Sequence, residues 1–171
     1  TCRGSNRSIR KSQIMASANK NISSYDDLNI PDGKDLRIAI VVAQWNHAIT
    51  NKLYLGAREK LLKHNVVAEN IVKFNVPGSF ELIYGATKAQ AQNFDVVIAI
   101  GCIIQGETRH FEFIANAVAQ GIKDLNLNGK SPVIFCVLTD DNIRQSQARS
   151  GGKLGNKGVE AAIAALRMIL L

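Results

Sequence analysis

This sequence predicts a single-domain α/β protein, a four-stranded parallel sheet with helices on both faces. Four short runs rich in Val and Ile, Arg37–Ala43, Ile71–Val76, Val96–Gly101 and Pro132–Leu138, are mostly apolar on both faces, as strands covered from two sides are. Helical periodicity fills the gaps between them and follows the last. The order β-α-β-α-β-α-β-α-α then calls for crossover helices and a doubly wound sheet.

A length of 171 residues suits one domain with one sizeable core. Residues 1–35 are polar, rich in Ser and Asn, and read as a flexible basic leader; residues 36–171 read as the folded domain. Met15 offers an alternative start. Pro31-Asp32-Gly33 marks a turn before the first strand. Ile49, Leu53, Ala57 and Leu61 form the apolar stripe of a first helix. A second, shorter helix is expected over 80–92. Phe111, Ile114, Val118, Ile122 and Leu125 mark a third, 141–149 a short polar fourth, and Val159, Ala162, Ile163, Leu166 and Leu170 a last one.

Bulk composition narrows the function. Arg3, Arg7, Arg10 and Lys11 contribute +4 of the net charge of +7, all of it in the leader, so the domain carries no obvious nucleic-acid face. No run of about 18 apolar residues is present to span a membrane, and no secretory signal is recognisable. The three cysteines, Cys2, Cys102 and Cys136, are odd in number, and two lie in apolar runs. They suit a reducing, cytoplasmic compartment better than a disulfide framework. His47, His64 and His110 lack ligand spacing and no Cys-x-x-Cys occurs, so no metal site is expected. Neither a P-loop nor a dinucleotide glycine motif is present.

In doubly wound sheets ligands sit beyond the carboxyl ends of the strands, which directs attention to the residues following each run. Gln44-Trp45-Asn46-His47 follows the first. Trp45 either stacks on a planar ring or caps the core, and both readings stay open here. Val76-Pro77-Gly78-Ser79-Phe80-Glu81 ends the second, with Ser79 a candidate N-cap and Glu81 suited to a first helical turn. Gly101-Cys102-Ile103-Ile104-Gln105-Gly106-Glu107-Thr108-Arg109-His110 ends the third. Gly106 allows a tight turn, a helix starting near Thr108 would point the N–H groups of Glu107 and Thr108 at an anion, and His110 in its first turn is placed to move protons near neutral pH. Thr139-Asp140-Asp141-Asn142 after the fourth is an N-cap cluster. Arg149 at the end of the short helix either forks onto a phosphate or favours a helix carboxyl terminus. Gly151-Gly152-Lys153-Leu154-Gly155-Asn156-Lys157-Gly158 reads as punctuation between two helices.

Trp45-Asn46, Val76 to Glu81, Gly101 to His110, Pro132-Val133-Ile134-Phe135 and Gly155-Asn156-Lys157-Gly158 occur in an order and spacing that resemble the 6,7-dimethyl-8-ribityllumazine synthases of riboflavin biosynthesis. The resemblance covers roughly residues 36–170. It implies a flavodoxin-like three-layer sandwich and a transferase that condenses 5-amino-6-(D-ribitylamino)uracil with 3,4-dihydroxy-2-butanone 4-phosphate, releasing phosphate and water without metal or organic cofactor. By the same resemblance, Trp45 stacks on the pyrimidine; Ser79, Phe80 and Glu81 hold the ribityl chain and pyrimidine; and Cys102, Ile103 and Ile104 contact the heterocycle. Glu107 and Thr108 form the phosphate turn and His110 is the proton donor. Phe135 and Arg149 belong to the residues a neighbouring subunit supplies, Arg149 gripping phosphate, and Lys157 reaches the site.

Two positions depart from the family pattern: Gln105 stands where many members carry Arg, and Cys102 where Thr or Asn is common. The first leaves Arg149 as the main clamp. The resemblance further implies a homo-oligomer with shared sites, with the short glycine-rich link at 151–158 leaning towards an icosahedral 60-mer over a pentamer or decamer, and it admits riboflavin synthase as a partner. Residues before 36 would pair with a neighbour's sheet edge. The competing readings are a different aldol- or imine-type phosphate enzyme on this fold, a non-catalytic flavodoxin-like domain or flavin-storing shell, and nucleic-acid binding through residues 1–14, which would be salt-sensitive.

Overall fold

A computed structural model describes residues 30–171. Of the leader expected over residues 1–35, residues 1–29 lie outside the described residues, and with them the start at Met15 and the greater part of the segment expected to be flexible and to pair with a neighbour's edge. The elements run β1 (Ile38–Ala43), α1 (His47–Lys63), β2 (Ile71–Val76), α2 (Leu82–Gln90), β3 (Val96–Ile104), α3 (His110–Asn128), β4 (Val133–Asp140), α4 (Ile143–Arg149), β5 (Ser150–Gly152), β6 (Gly155–Asn156) and α5 (Lys157–Met168).

The main sheet is parallel throughout, in the order β2-β1-β3-β4. Alternation along each strand sends successive side chains to opposite faces. Ile38, Ile40 and Val42 of β1 therefore meet Ile49, Leu53 and Leu61 of α1 and Ala162, Ala165 and Leu166 of α5. Ala39, Val41 and Ala43 meet Leu82 and Ala86 of α2 and Val118 and Ile122 of α3. This is a flavodoxin-like three-layer sandwich. Truncating a fully buried leucine such as Leu53 in a layer of this kind costs about 2–5 kcal/mol.

Apolarity on both faces holds for the central strands and weakens outwards. Every residue of β1 is buried, and so is all of β3 but its last residue. The edge strands β2 and β4 expose part of their length, because each lacks a neighbour on one side. Residues ahead of β1 are docked too: the Gly33 N–H donates to the His64 carbonyl at 2.8 Å, and Ile30 packs against the core.

Several boundaries differ from expectation. The third and fourth strands continue to Ile104 and Asp140, because parallel pairing carries on from Cys102↔Leu138 to Ile104↔Asp140. The second helix is shorter, at Leu82–Gln90, and Ser79 does not cap it: the side chain of Ser79 turns instead to β3. The third helix starts at His110 rather than near Thr108. The glycine-rich stretch is more than punctuation, since β5 and β6 pair antiparallel within it. Leu170 lies beyond α5 and is exposed, so it is not part of that helix's buried stripe. The N-cap cluster after β4 resolves to Asn142, whose side chain accepts from the N–H groups of Arg144 and Gln145.

The start of α5 is locked to α1. Asn156 Oδ1 accepts the Gly158 N–H at 2.8 Å while its Nδ2 donates to the Lys52 carbonyl at 3.0 Å. A β-carbon on Gly158 would lie 1.9 Å from the carbonyl oxygen of Leu53, so backbone would have to move. Gly158→Ala is expected to cost about 3 kcal/mol, the upper end for overpacking, which lowers Tm by roughly 10 °C at this chain length. Thermal unfolding followed by circular dichroism checks this; a shift of a degree or less would mean the two helices slide apart freely.

Candidate active site

The sheet order reverses between β1 and β3, and the crevice at their carboxyl ends is where this architecture places ligands. The loops there are tied together. Asn46, with φ 56° and ψ 41°, occupies the left-handed region that Asn tolerates, and its Nδ2 donates to the Cys102 carbonyl at 3.0 Å. The N–H groups of Gln44 and Trp45 donate to the carbonyls of Val76 and Pro77 at 2.8 and 3.0 Å. The ends of β1, β2 and β3 are thus in fixed register.

A cavity of about 510 Å³ opens at this point, within the range of small-molecule sites. Trp45, Ser79, Phe80, Glu81, Cys102, Ile103, Ile104, Thr108 and His110 all line it. Trp45 is 72% exposed, which removes the core-cap reading and leaves a free indole face. Phe80 is 50% exposed and offers a second aromatic surface. Gly101 is required by close approach: a β-carbon there would lie 2.7 Å from Ser79 Oγ and 2.9 Å from Leu82 Cδ1. Its absence lets the start of α2 sit directly on β3.

The turn from β3 into α3 is open. Gly106 is not in the left-handed region and a β-carbon on it would meet nothing, so neither backbone conformation nor close packing requires glycine there. It leaves space at the cavity rim. The His110 N–H lies 3.4 Å from Thr108 Oγ1, and Arg109 precedes the helix without side-chain capping. No hydrogen bond among the described residues engages the N–H groups of Glu107 and Thr108. Glu107 shares this turn but is not on the cavity lining.

Phe135, Arg149 and Lys157 are absent from this cavity. They line a second one of about 400 Å³ along the edge strand β4 and the start of α5. There Lys157 Nζ lies 2.6 Å from Glu160 Oε2, and Arg149 Nη1 lies 3.3 Å from Asp140 Oδ1. One chain therefore carries two separate constellations, one aromatic with an imidazole, the other with two cations each paired to a carboxylate.

The family model for 6,7-dimethyl-8-ribityllumazine synthase matches residues 35–171. The chain belongs to that family. A synthase of this name from Flavobacterium johnsoniae is 61% identical over 90% of this chain and 82% of its own length. Those from Cytophaga hutchinsonii and Porphyromonas gingivalis are 55% and 53% identical, covering 91% and 90% of this chain and 98% and 96% of theirs. The chain is accordingly an enzyme of riboflavin biosynthesis, and no helix among its described residues is long and apolar enough to cross a membrane.

Two polar residues of this synthase domain escaped sequence reasoning. Glu160 lines the second cavity beside Lys157, with one carboxylate oxygen buried and unpartnered among the described residues. The i,i+3 spacing of Lys157 and Glu160 on one helix was its only signal. Asp140, read as part of a capping cluster, is buried and paired with Arg149.

Both described cysteines are buried. Burial pushes the Cys136 thiol up to about 12, with the Lys157 charge opposing and Glu160 adding to the shift. Burial likewise raises Cys102. Neither is a poised nucleophile. In the folded protein at pH 8, iodoacetamide is expected to leave the Cys102 and Cys136 peptides unlabelled by mass spectrometry, and to label both in denaturant. The native state keeps the Cys136 proton after the unfolded chain has lost it, so stability from this group falls as pH rises from about 9 towards 12.

Proposed function

We propose that this chain condenses 5-amino-6-(D-ribitylamino)uracil with 3,4-dihydroxy-2-butanone 4-phosphate in the cytoplasm, at a site completed by a second copy of itself. The reading rests on one observation: the residues the reaction needs are divided between two cavities of a single chain. In a ring of identical subunits, the first cavity of one copy would meet the second cavity of the next. Each site would then hold Trp45 and His110 from one chain and Phe135, Arg149 and Lys157 from another. Domain 36–171, with the docked residues from Ile30 on, forms this body, and a polar leader precedes it. The 60-mer remains the assembly that the uninterrupted 151–158 link favours, with riboflavin synthase a candidate partner.

In this arrangement Trp45 stacks on the pyrimidine, and Ser79, Phe80 and Glu81 hold the ring and ribityl chain. The strand end Cys102–Ile104 meets the heterocycle largely through backbone. The substrate amine attacks the ketone, and water leaves as the imine forms. Loss of the proton on the adjacent carbon expels phosphate, and ring closure releases a second water. His110, the only imidazole on the first cavity's lining, carries protons in these steps. Glu107 and Thr108 present backbone N–H groups to the phosphate, and Arg149 and Lys157 neutralise it as it departs. Most of the acceleration comes from holding two substrates in register.

The test is turnover of the two substrates by the purified chain, following lumazine fluorescence and phosphate release. Product above the uncatalysed background is expected. A well-folded oligomer that binds the pyrimidine without forming product would overturn the reading in favour of a flavin-storing shell.

A further inference from the structure

Asp140 ends the edge strand β4, and its side chain is only 4% exposed. A carboxylate so placed must find partners for both oxygens. Oδ2 accepts from the Ser146 hydroxyl at 2.8 Å, and Oδ1 accepts from Arg149 Nη1 at 3.3 Å. Ser146 is fully buried and its Oγ in turn lies 3.5 Å from Cys102 Sγ. The Asp140 carbonyl accepts the Gln105 N–H at 3.0 Å, which anchors the strand end itself. Asp140 is thus held rigidly from behind, while Arg149, with a side chain 34% exposed, lines the second cavity.

We propose that Asp140 is a positioning residue for the phosphate clamp: it fixes the guanidinium of Arg149 through Nη1 and leaves the rest of the fork directed at the phosphorylated substrate. This rests on the reading of Arg149 as that clamp. An arginine side chain is long and rotamer-rich, and a carboxylate that orients it before binding removes ordering that the substrate would otherwise have to impose. A carboxylate near a bound phosphate also repels it, but here orientation of the guanidinium outweighs that repulsion. Both oxygens of Asp140 are engaged by donors, one of them the Arg149 cation, which offsets its charge.

The experiment is steady-state kinetics of the assembled enzyme with Asp140→Ala, Asp140→Asn, Arg149→Ala and the Asp140→Ala/Arg149→Ala pair, together with inhibition by inorganic phosphate. Asp140→Ala is expected to raise KM for the butanone phosphate about tenfold, to weaken phosphate inhibition in parallel, and to leave KM for the pyrimidine unchanged. Asp140→Asn keeps an acceptor for Nη1 and is expected within about threefold of the parent enzyme. In the Arg149→Ala background, removing Asp140 should add nothing, as coupled residues do. If Asp140→Ala fails to assemble, Asp140→Ser carries the same expectation. The proposal is overturned by an unchanged KM for the phosphate substrate, by equal shifts in both KM values, or by tighter phosphate inhibition. If Arg149→Ala itself leaves the phosphate KM unchanged, the clamp reading fails. If Arg149→Ala raises it and Asp140→Ala does not, only the role given to Asp140 fails.

Discussion

Replacing Arg149 by alanine is expected to lower kcat/KM for the butanone phosphate by about two orders of magnitude while sparing the pyrimidine KM. Truncating one member of a desolvated, hydrogen-bonded charge pair costs about 2–5 kcal/mol, and each 1.36 kcal/mol is a factor of ten in rate. The upper half of that range is not expected, because Lys157 lines the same cavity and supplies a second positive charge. Arg149→Lys should recover only part of the loss. An ammonium retains the charge but not the planar fork that meets two phosphate oxygens at once. Raised salt should weaken phosphate-substrate binding more in the lysine variant than in the parent, since a point charge without fixed geometry is screened more readily. Steady-state kinetics with each substrate varied in turn separates these outcomes. Equal loss for both substrates would indicate a damaged fold, and no loss would remove Arg149 from the site.

The route from sequence to this site was legible where one physical constraint dominated and obscure where two competed. The parallel sheet could be read because β1 and β3 are buried on both faces, which leaves little besides Val, Ile, Ala and Gly available to them. The exposed indole of Trp45 could not be read, since an aromatic at a strand-to-helix junction suits core and ligand alike. Solvent exposure is a property of the packed chain. Ser79 shows the same limit. Its residue type and position suit an N-cap, yet Gly101 two strands away opens a niche that draws its hydroxyl against β3. The extension of β3 through Ile104 was hidden because strand length depends on the partner, and β4 continues pairing as far as Asp140. That same extension places Cys102, Ile103 and Ile104 on the cavity's lining as regular strand, and makes Asp140 a strand residue with its side chain inward. Arg149 and His110 were visible as reactive types at element ends. Their assignment to different cavities was implied only by the family resemblance and not by the residues themselves, because a linear sequence does not say which side of the sheet edge each element end faces.

His110→Ala is expected to lower kcat by about one to two orders of magnitude and to leave both KM values within a few-fold. General acid–base catalysis contributes about 10²–10⁴-fold where proton transfer limits the rate. The effect expected here lies at or below the bottom of that range for a structural reason. His110 is exposed at the first turn of α3, with its backbone N–H near Thr108 Oγ1, so water can reach the same atoms and carry protons in its place. The remaining activity would come from juxtaposition of the substrates, which the alanine variant leaves intact. Complementation then tests whether sites are shared. Neither His110→Ala nor Arg149→Ala alone forms a fully equipped site in a composite arrangement, but subunits of the two variants unfolded and reassembled together would place an intact His110 against an intact Arg149 wherever neighbours differ in the favourable order. For random equal mixing of neighbours that is about one site in four. Activity of the co-assembled mixture near a quarter of the parent value, well above the mean of the two variants assembled separately, is the expected outcome. A mixture no more active than that mean would place both residues in the site of a single chain.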